Sequence, residues 1–180
     1  LEVYSQKGKL KSSSITTRFF KIDPNLKIAL ETEFANQYNA GGNNALIDGI
    51  LGTEDFRTGT WQGYWDNDVI ATLDLGQKKV HNSISINFLQ DQRSWIFLPS
   101  EIQIMVSKNG KDFKSIHHQK FDASTPSDEP GIYHFKYDFD LKEFRYIKVI
   151  AKKLGKLPRW HLGHAADGRT WIFVDEIQVK

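Results

Sequence analysis

Apolar and polar residues alternate with period two along much of the chain. Ile84, Ile86 and Phe88 fall on one side of a run whose other side carries Ser83, Ser85 and Asn87, the mark of a strand with one buried face. Ile102, Ile104 and Val106 repeat the pattern, as do Tyr133, Phe135, Tyr137 and Phe139. It predicts strands over residues 26–31, 70–75, 80–89, 102–106, 113–121, 133–139, 144–151 and 171–179. Asn109-Gly110 is the strongest hairpin signal in the chain. No stretch shows a convincing helical period. Short strands separated by turns predict an all-β sandwich or barrel.

Residues 38–76 break this rhythm. A polar, glycine-rich run leads into Ala45-Leu46-Ile47-Asp48-Gly49, and an irregular segment dense in Asp, Thr and Trp follows. Loops of that length inside a compact domain are uncommon and usually functional. We read this one as a binding surface beside a structural cation. Two further long loops cover residues 90–99 and 152–169. Residues 1–22 read as two short extended pieces around a Lys-Gly-Lys turn, with too few apolar residues to fold alone. Asp23-Pro24-Asn25 is a turn signal and the expected boundary. The expected division is an N-terminal extension, 1–24, and a module, 25–180.

Composition narrows the functional classes. The chain has 180 residues, enough for one domain with a sizeable core. With 13% aromatics and a single Met it leans toward β-structure. It contains no Cys, which excludes disulfides, thiolate metal sites and a Cys nucleophile. A formal net charge of +2 makes no general case for nucleic acid or an anionic membrane, and the apolar runs are too short to span a bilayer. No charged-then-apolar signal segment opens the sequence, so Leu1 is read as an internal point of a longer protein.

Adjacent Asp175 and Glu176 invite a glycosidase reading through paired carboxylates. Strand neighbours point to opposite faces, which argues against it unless a bulge re-aims one. Asp48, Thr60 and Glu176 are candidate ligands for a hard cation, with loop carbonyls completing an oxygen-rich site of calcium type. The plainer reading is that Asp48 caps a turn. His161, His164 and Asp167 lack the spacing of a closed zinc site. The glycine pairs lack the Lys-Ser/Thr of a phosphate loop. Trp61, Tyr64, Trp65, Trp95, Trp160 and Trp171 fall in or beside the long loops, with Arg93 and His161 among them. Flat rings beside planar hydrogen-bonding groups suit a sugar, with its apolar C–H faces and hydroxyl rim. The bland alternative is that several rings plug the sandwich ends. The basic stretch from Lys142 to Arg159 is read first as a solvated strand face, and second as an anionic-ligand stripe.

The motifs ALIDGILG, TWQGYW, ATLDLG, SISINFLQ, EIQIMVSKNGKDF, FRYIKVIAKK and WIFVDEIQV, in that order, resemble the discoidin-like fold. That is the fold of coagulation factor 5/8 type C domains and of family 32 carbohydrate-binding modules. The stretch PRWHLGHAADGRTWIFVDE is similar to the C-terminal module of bacterial family 20 β-N-acetylhexosaminidases. The N-terminal GKLKSSSITTRFFKI is similar to the final strand of the small β domain that precedes it.

The resemblance implies an eight-stranded jelly-roll β-sandwich of galactose-binding-domain-like type, a structural calcium held by Asp48, Thr60 and Glu176, and a shallow glycan site made by loops. Ile50 stands where many relatives carry a second acid. The expectation is a non-catalytic carbohydrate-binding module of a bacterial glycoside hydrolase, periplasmic, cell-surface or secreted. It would bind galactose- or N-acetylhexosamine-containing glycans through Tyr64, Trp65, Arg93, Trp95, Trp160 and His161. Its other partners would be the catalytic and linker domains of its own parent chain, with no nucleic acid and no membrane insertion. The alternative is a structural module that packs on a catalytic domain and binds nothing.

Overall fold

The computed structural model describes residues 2–16, 22–122, 125–127 and 129–180. Its strands are β1 (Glu2–Val3), β2 (Gln6–Lys7), β3 (Leu10–Lys11), β4 (Ile15–Thr16), β5 (Lys27–Leu30), β6 (Gln62–Trp65), β7 (Val69–Gln90), β8 (Glu101–Ser107), β9 (Lys114–Lys120), β10 (Gly131–Lys152) and β11 (Trp171–Val179). Strands β5–β11 form one antiparallel network of seven, ordered β6-β11-β7-β10-β8-β9 with β5 on the free side of β7.

β7 and β10 each serve both layers of the sandwich. The first part of β7 pairs β5 through Leu73↔Ile28, and the last part of β10 pairs β8 through Val149↔Ile104. The later part of β7 pairs β11 through Phe88↔Val174 and the first part of β10 through Phe88↔Tyr133. Between its two halves β7 turns at Gly76, φ 78°. A Cβ there would stand 2.6 Å from Asn25 Cβ, so only glycine fits the corner. The expected separate strands at 70–75 and 80–89 are thus one bent strand, as are those at 133–139 and 144–151. The all-β jelly-roll sandwich is present.

The core between the layers is the set that alternation picks out. Ile84, Ile86 and Phe88 meet Val69, Ala71, Leu73, Ile102, Ile104, Ile147, Val149, Ile172 and Val174 in one buried cluster. A second, smaller cluster of Trp61, Leu89, Ile96 and Phe173 lies on the opposite parity, with Tyr38, Phe56 and Trp171 packed on it. Leu89 and Phe173 are the outward neighbours of Phe88 and Val174, so this cluster covers the outside of the β6–β11–β7 layer. The long segment before β6, with short 3-10 turns at Asn36–Tyr38, Ala45–Ile47 and Phe56–Thr58, supplies the cover. Within the stretch read as a binding surface, Tyr38, Phe56, Trp61 and Tyr64 pack inside the protein, while Trp65 stays half-buried at the sheet's end.

β6 itself was not predicted. Gln62, Gly63 and Tyr64 are all buried, so no alternation betrays it. The expected Lys-Gly-Lys turn joins β2 and β3, and the expected Asp23 turn forms with Asn25 N–H donating to Asp23 Oδ1 at 2.9 Å. Among the described residues, strands β1–β4 pair only with one another. The Arg18-Phe19-Phe20-Lys21 part of the expected terminal strand lies outside the described residues. Among the described residues no helix is long and apolar enough to cross a membrane.

Candidate functional site

At one end of the sandwich the end of β6, the start of β11 and the 3-10 turn Gln92–Ser94 converge. Trp65 and Trp171 are cross-strand neighbours on the outer face, with ring centroids 4.8 Å apart. Trp95 comes directly after the turn, and its carbonyl accepts from Trp171 N–H at 2.9 Å. Its indole lies 6.2 Å from that of Trp65 at an interplanar angle of 17°. The Arg169 guanidinium stands 5.2 Å over Trp65, and Asp167 grips it through two carboxylate oxygens. Trp65, Trp95 and Trp171 are half-buried, Arg93 is exposed, and Trp160 is 43% exposed above Phe97 and His161.

Of the expected sugar contacts, the structure gathers Trp65, Trp95, Arg93, Trp160 and His161 at this end and removes Tyr64. Strand β6 turns the Tyr64 ring inward, where it is 0% exposed, packs on Phe34 and donates to Gln62 Oε1 at 2.8 Å. Burial pushes its hydroxyl well above the ordinary tyrosine range. His161 is buried, and both ring nitrogens are engaged by the protein's own backbone. It does not present a hydrogen-bonding edge to a ligand. The residue that alternation could have added is Trp171, one pleat from Phe173 on the same face. Arg169 obeys no periodic signal.

His164 bonds the Leu157 carbonyl and Asp167 bonds Arg169, so neither joins His161 around a metal. The basic stretch is not an open stripe either. Arg145 pairs with Asp74, Lys148 with Glu31, Lys152 with Asp68 and Lys153 with Asp66. A cleft of about 600 Å³ opens at the far end beside the β8–β9 turn, away from the tryptophans. Ser107 and Asn109 there are spent on the turn's own amides, and the rest of its polar lining is mainly charged, with Lys108, Lys114, Lys142 and Glu143 and no tryptophan.

A second constellation sits where the long segment crosses β11. Between Asp175 and Ile177 the pairing with β7 skips a residue, and Glu176 takes φ 31°. This bulge is the exception that the strand-geometry objection allowed, and it brings both acids to the same loop. Asp175 Oδ2 accepts from Gly52 N–H at 2.6 Å, and Glu176 Oε2 accepts from Gly49 N–H at 2.8 Å. Burial raises Asp175 to about 6, with a smaller push from the Asp48 charge, and raises Glu176 to about 7, with Asp175 and Asp48 adding repulsion. Asp48 is raised too, mainly by burial, while Ile50 N–H donates to its Oδ1 at 2.8 Å. Asp175 Oδ1 is buried without a well-formed hydrogen bond, although the Asn87 side chain favours the charged acid.

Asp48 and Asp175 thus lie near enough to Glu176 for their charges to act on it. Thr60 instead bonds the Thr58 hydroxyl at 3.0 Å, in a cluster with Thr53. Among the described residues no three His, Asp, Glu or Cys side chains converge as a metal-binding group. Asp175 and Glu176 both accept from loop amides. Glu176 also lines a pocket of about 280 Å³ with Lys79 and His81, but the buried Asp175 does not reach it. The two carboxylates therefore do not flank one opening as glycoside cleavage needs.

A two-layered jelly roll with an aromatic loop end and an acid-tethered loop beside its last strand defines a galactose-binding-domain-like sandwich. The chain belongs to the F5/8 type C domain family, whose model matches residues 27–177. No protein with a curated description matches the sequence. Solved structures share the fold. A family 32 module of a Clostridium perfringens protein, in complex with galactose, is similar with a TM-score of 0.54 and 16% identity, covering 86% of this chain and 93% of that one. Another Clostridium perfringens family 32 module, in complex with GalNAc-β-1,3-galactose, has a TM-score of 0.51 and 18% identity, covering 86% and 94%. The C-terminal domain of a chitobiase from Bacteroides fragilis has a TM-score of 0.50 and 18% identity, covering 89% and 95%.

Proposed function

We propose that this chain is a non-catalytic carbohydrate-binding module that holds a bacterial glycoside hydrolase, periplasmic, cell-surface or secreted, near its glycan. Its ligands would be galactose- or N-acetylhexosamine-containing sugars. The observation that carries this reading is the half-buried stack of Trp65, Trp95 and Trp171 at one loop end, with Arg93, Arg169 and Trp160 around it. Sugar C–H faces pack on such rings while planar cations bond hydroxyls at the rim. Ligands of the similar Clostridium perfringens modules support the choice of sugar. The affinity expected of one shallow site is weak, about 1 mM or ~4 kcal/mol. Calorimetric titration with galactose and N-acetylgalactosamine tests it: heat of binding is expected, and lost in Trp95→Ala. No heat with either sugar from folded protein would refute it.

Calcium would sit beside Asp48 and Glu176. Both offer hard oxygen, and burial with the nearby acid charges raises Glu176 where no cation offsets them. Asp48 and Glu176 would hold it together with loop carbonyls. Thr60 would add its hydroxyl only by leaving Thr58. The ion would neutralise the cluster and fasten the long segment to β11.

A second reading, a structural module without a ligand, is favoured by one feature. Arg169, Trp171 and Trp95 all pack on Trp65, so that ring is already engaged within the protein.

A further inference from the structure

Trp95 stands at φ 66°, a left-handed conformation that bulky side chains seldom take. Such strain persists where the surroundings over-determine it. We infer that Gln92 and His161 are the positioning residues that do so: they tie three loops into one strut that sets Trp95 against Trp65. For sugar affinity the inference rests on the binding-module reading above. For the geometry of the indole pair it stands alone.

Gln92 is 4% exposed and uses both ends of its amide. Its Nε2 donates to the Thr125 carbonyl at 2.9 Å, and its Oε1 accepts from Ser127 N–H at 2.7 Å. Its own carbonyl accepts from Trp95 N–H at 3.0 Å and from His161 Nε2, 2.7 Å away. Two donors on one carbonyl fill both lone pairs.

The neighbours of His161 fix its tautomer. Gly163 N–H can only donate, and it lies 3.0 Å from Nδ1. The ring proton is therefore on Nε2, directed at Gln92. Every polar atom of the two side chains is spent inside the protein, which leaves none for a hydroxyl of a ligand.

His161 also anchors the short turn Leu162–Ala165. That turn brings Gly163 against the indole edge, where a Cβ would meet Trp95 Cε2 and Cζ2 at 2.8 Å. Gln92 thus fixes the backbone of Trp95, and His161 places the glycine that confines its ring.

The experiment uses the exciton couplet that two stacked indoles give in far-ultraviolet circular dichroism. It is assigned by its loss in Trp95→Phe and read beside titration with N-acetylgalactosamine. Gln92→Ala and His161→Ala are expected to lose the couplet, keep a cooperative melt and weaken sugar binding about tenfold. His161→Gln, whose amide can still donate toward the Gln92 carbonyl, is expected to recover part of the couplet. Gly163→Ala leaves every hydrogen bond of the strut in place yet should displace the ring and lose the couplet as well.

If the alanine variants fail to fold, Gly163→Ala and His161→Gln carry the test. Folded Gln92→Ala and His161→Ala proteins that retain the parental couplet would overturn the strut, as would a retained couplet in Gly163→Ala. Couplet loss in a protein that binds no sugar upholds the strut and sinks the binding-module reading. Binding loss with an intact couplet does the reverse.

Discussion

Burial raises Asp175 to about 6 and Glu176 to about 7, against ordinary values of 3.8 and 4.5. Across that window the folded chain holds protons that the unfolded chain has released. Stability is therefore expected to fall as pH rises from about 4.5 to about 7 and to level off above. Asp74 and Glu31 are lowered by Arg145 and Lys148, so their contributions fade only below the ordinary carboxylate range. His81, lowered by burial, acts the other way below its ordinary value of 6.5 and offsets part of the fall. A bound cation favours the charged acids, so added calcium should abolish most of the fall. Melting temperatures measured in chelator and in calcium from pH 4.5 to 8 check both points. A flat profile in both would remove the coupled cluster. Next to these acids, Gly52 lies under Trp61, and an added Cβ would stand 2.3 Å from its Cε2. Gly52→Ala is expected to cost about 1–3 kcal/mol through overpacking, read by denaturant unfolding. The sequence shows the acids and the tryptophan at this scale. It does not show that Gly52 N–H reaches Asp175 across 123 positions.

Strands are where the pattern reads well and then misleads. Alternation marks the inward faces of β7, β8 and β10 because period two is a property of the local backbone. It fails for β6, buried on both faces, and this failure put Tyr64 on the surface instead of inside. It also cuts β7 in two, because the exposed Lys78 and Lys79 interrupt the apolar face at the corner, where the pairing with β10 shifts register from Lys79 to Asp74 before the strand runs on. Gly76 makes that corner possible. Gly76→Ala is expected to cost about 1–3 kcal/mol, since it meets both a positive φ and the Asn25 side chain. Urea titration of the variant measures it, and an unchanged midpoint would show that the bend does not depend on glycine.

For the molecule as a whole, the seven-stranded network is the unit that buries the core, and β1–β4 stand outside it. A chain beginning at Ile22 is expected to melt within a few degrees of the full one; a far larger loss would mean that the N-terminal strands belong to the same cooperative unit. Two decisions at this scale escape any reading of the linear order. Trp61 and Trp95 look alike in sequence, yet one is sealed under the long segment and the other stands in the aromatic stack. Of the basic residues Arg145, Lys148, Lys152, Lys153 and Lys156, read first as a solvated face and second as a stripe, the first four each find an acid on another element. The sequence by itself determined which side chains face the core, where the chain turns and which family it joins, because those rest on contacts between near neighbours in the chain. Only the tertiary structure decided which rings stay accessible, which acids meet and which residues merely brace others, because each depends on what distant segment crosses the outer face of a strand.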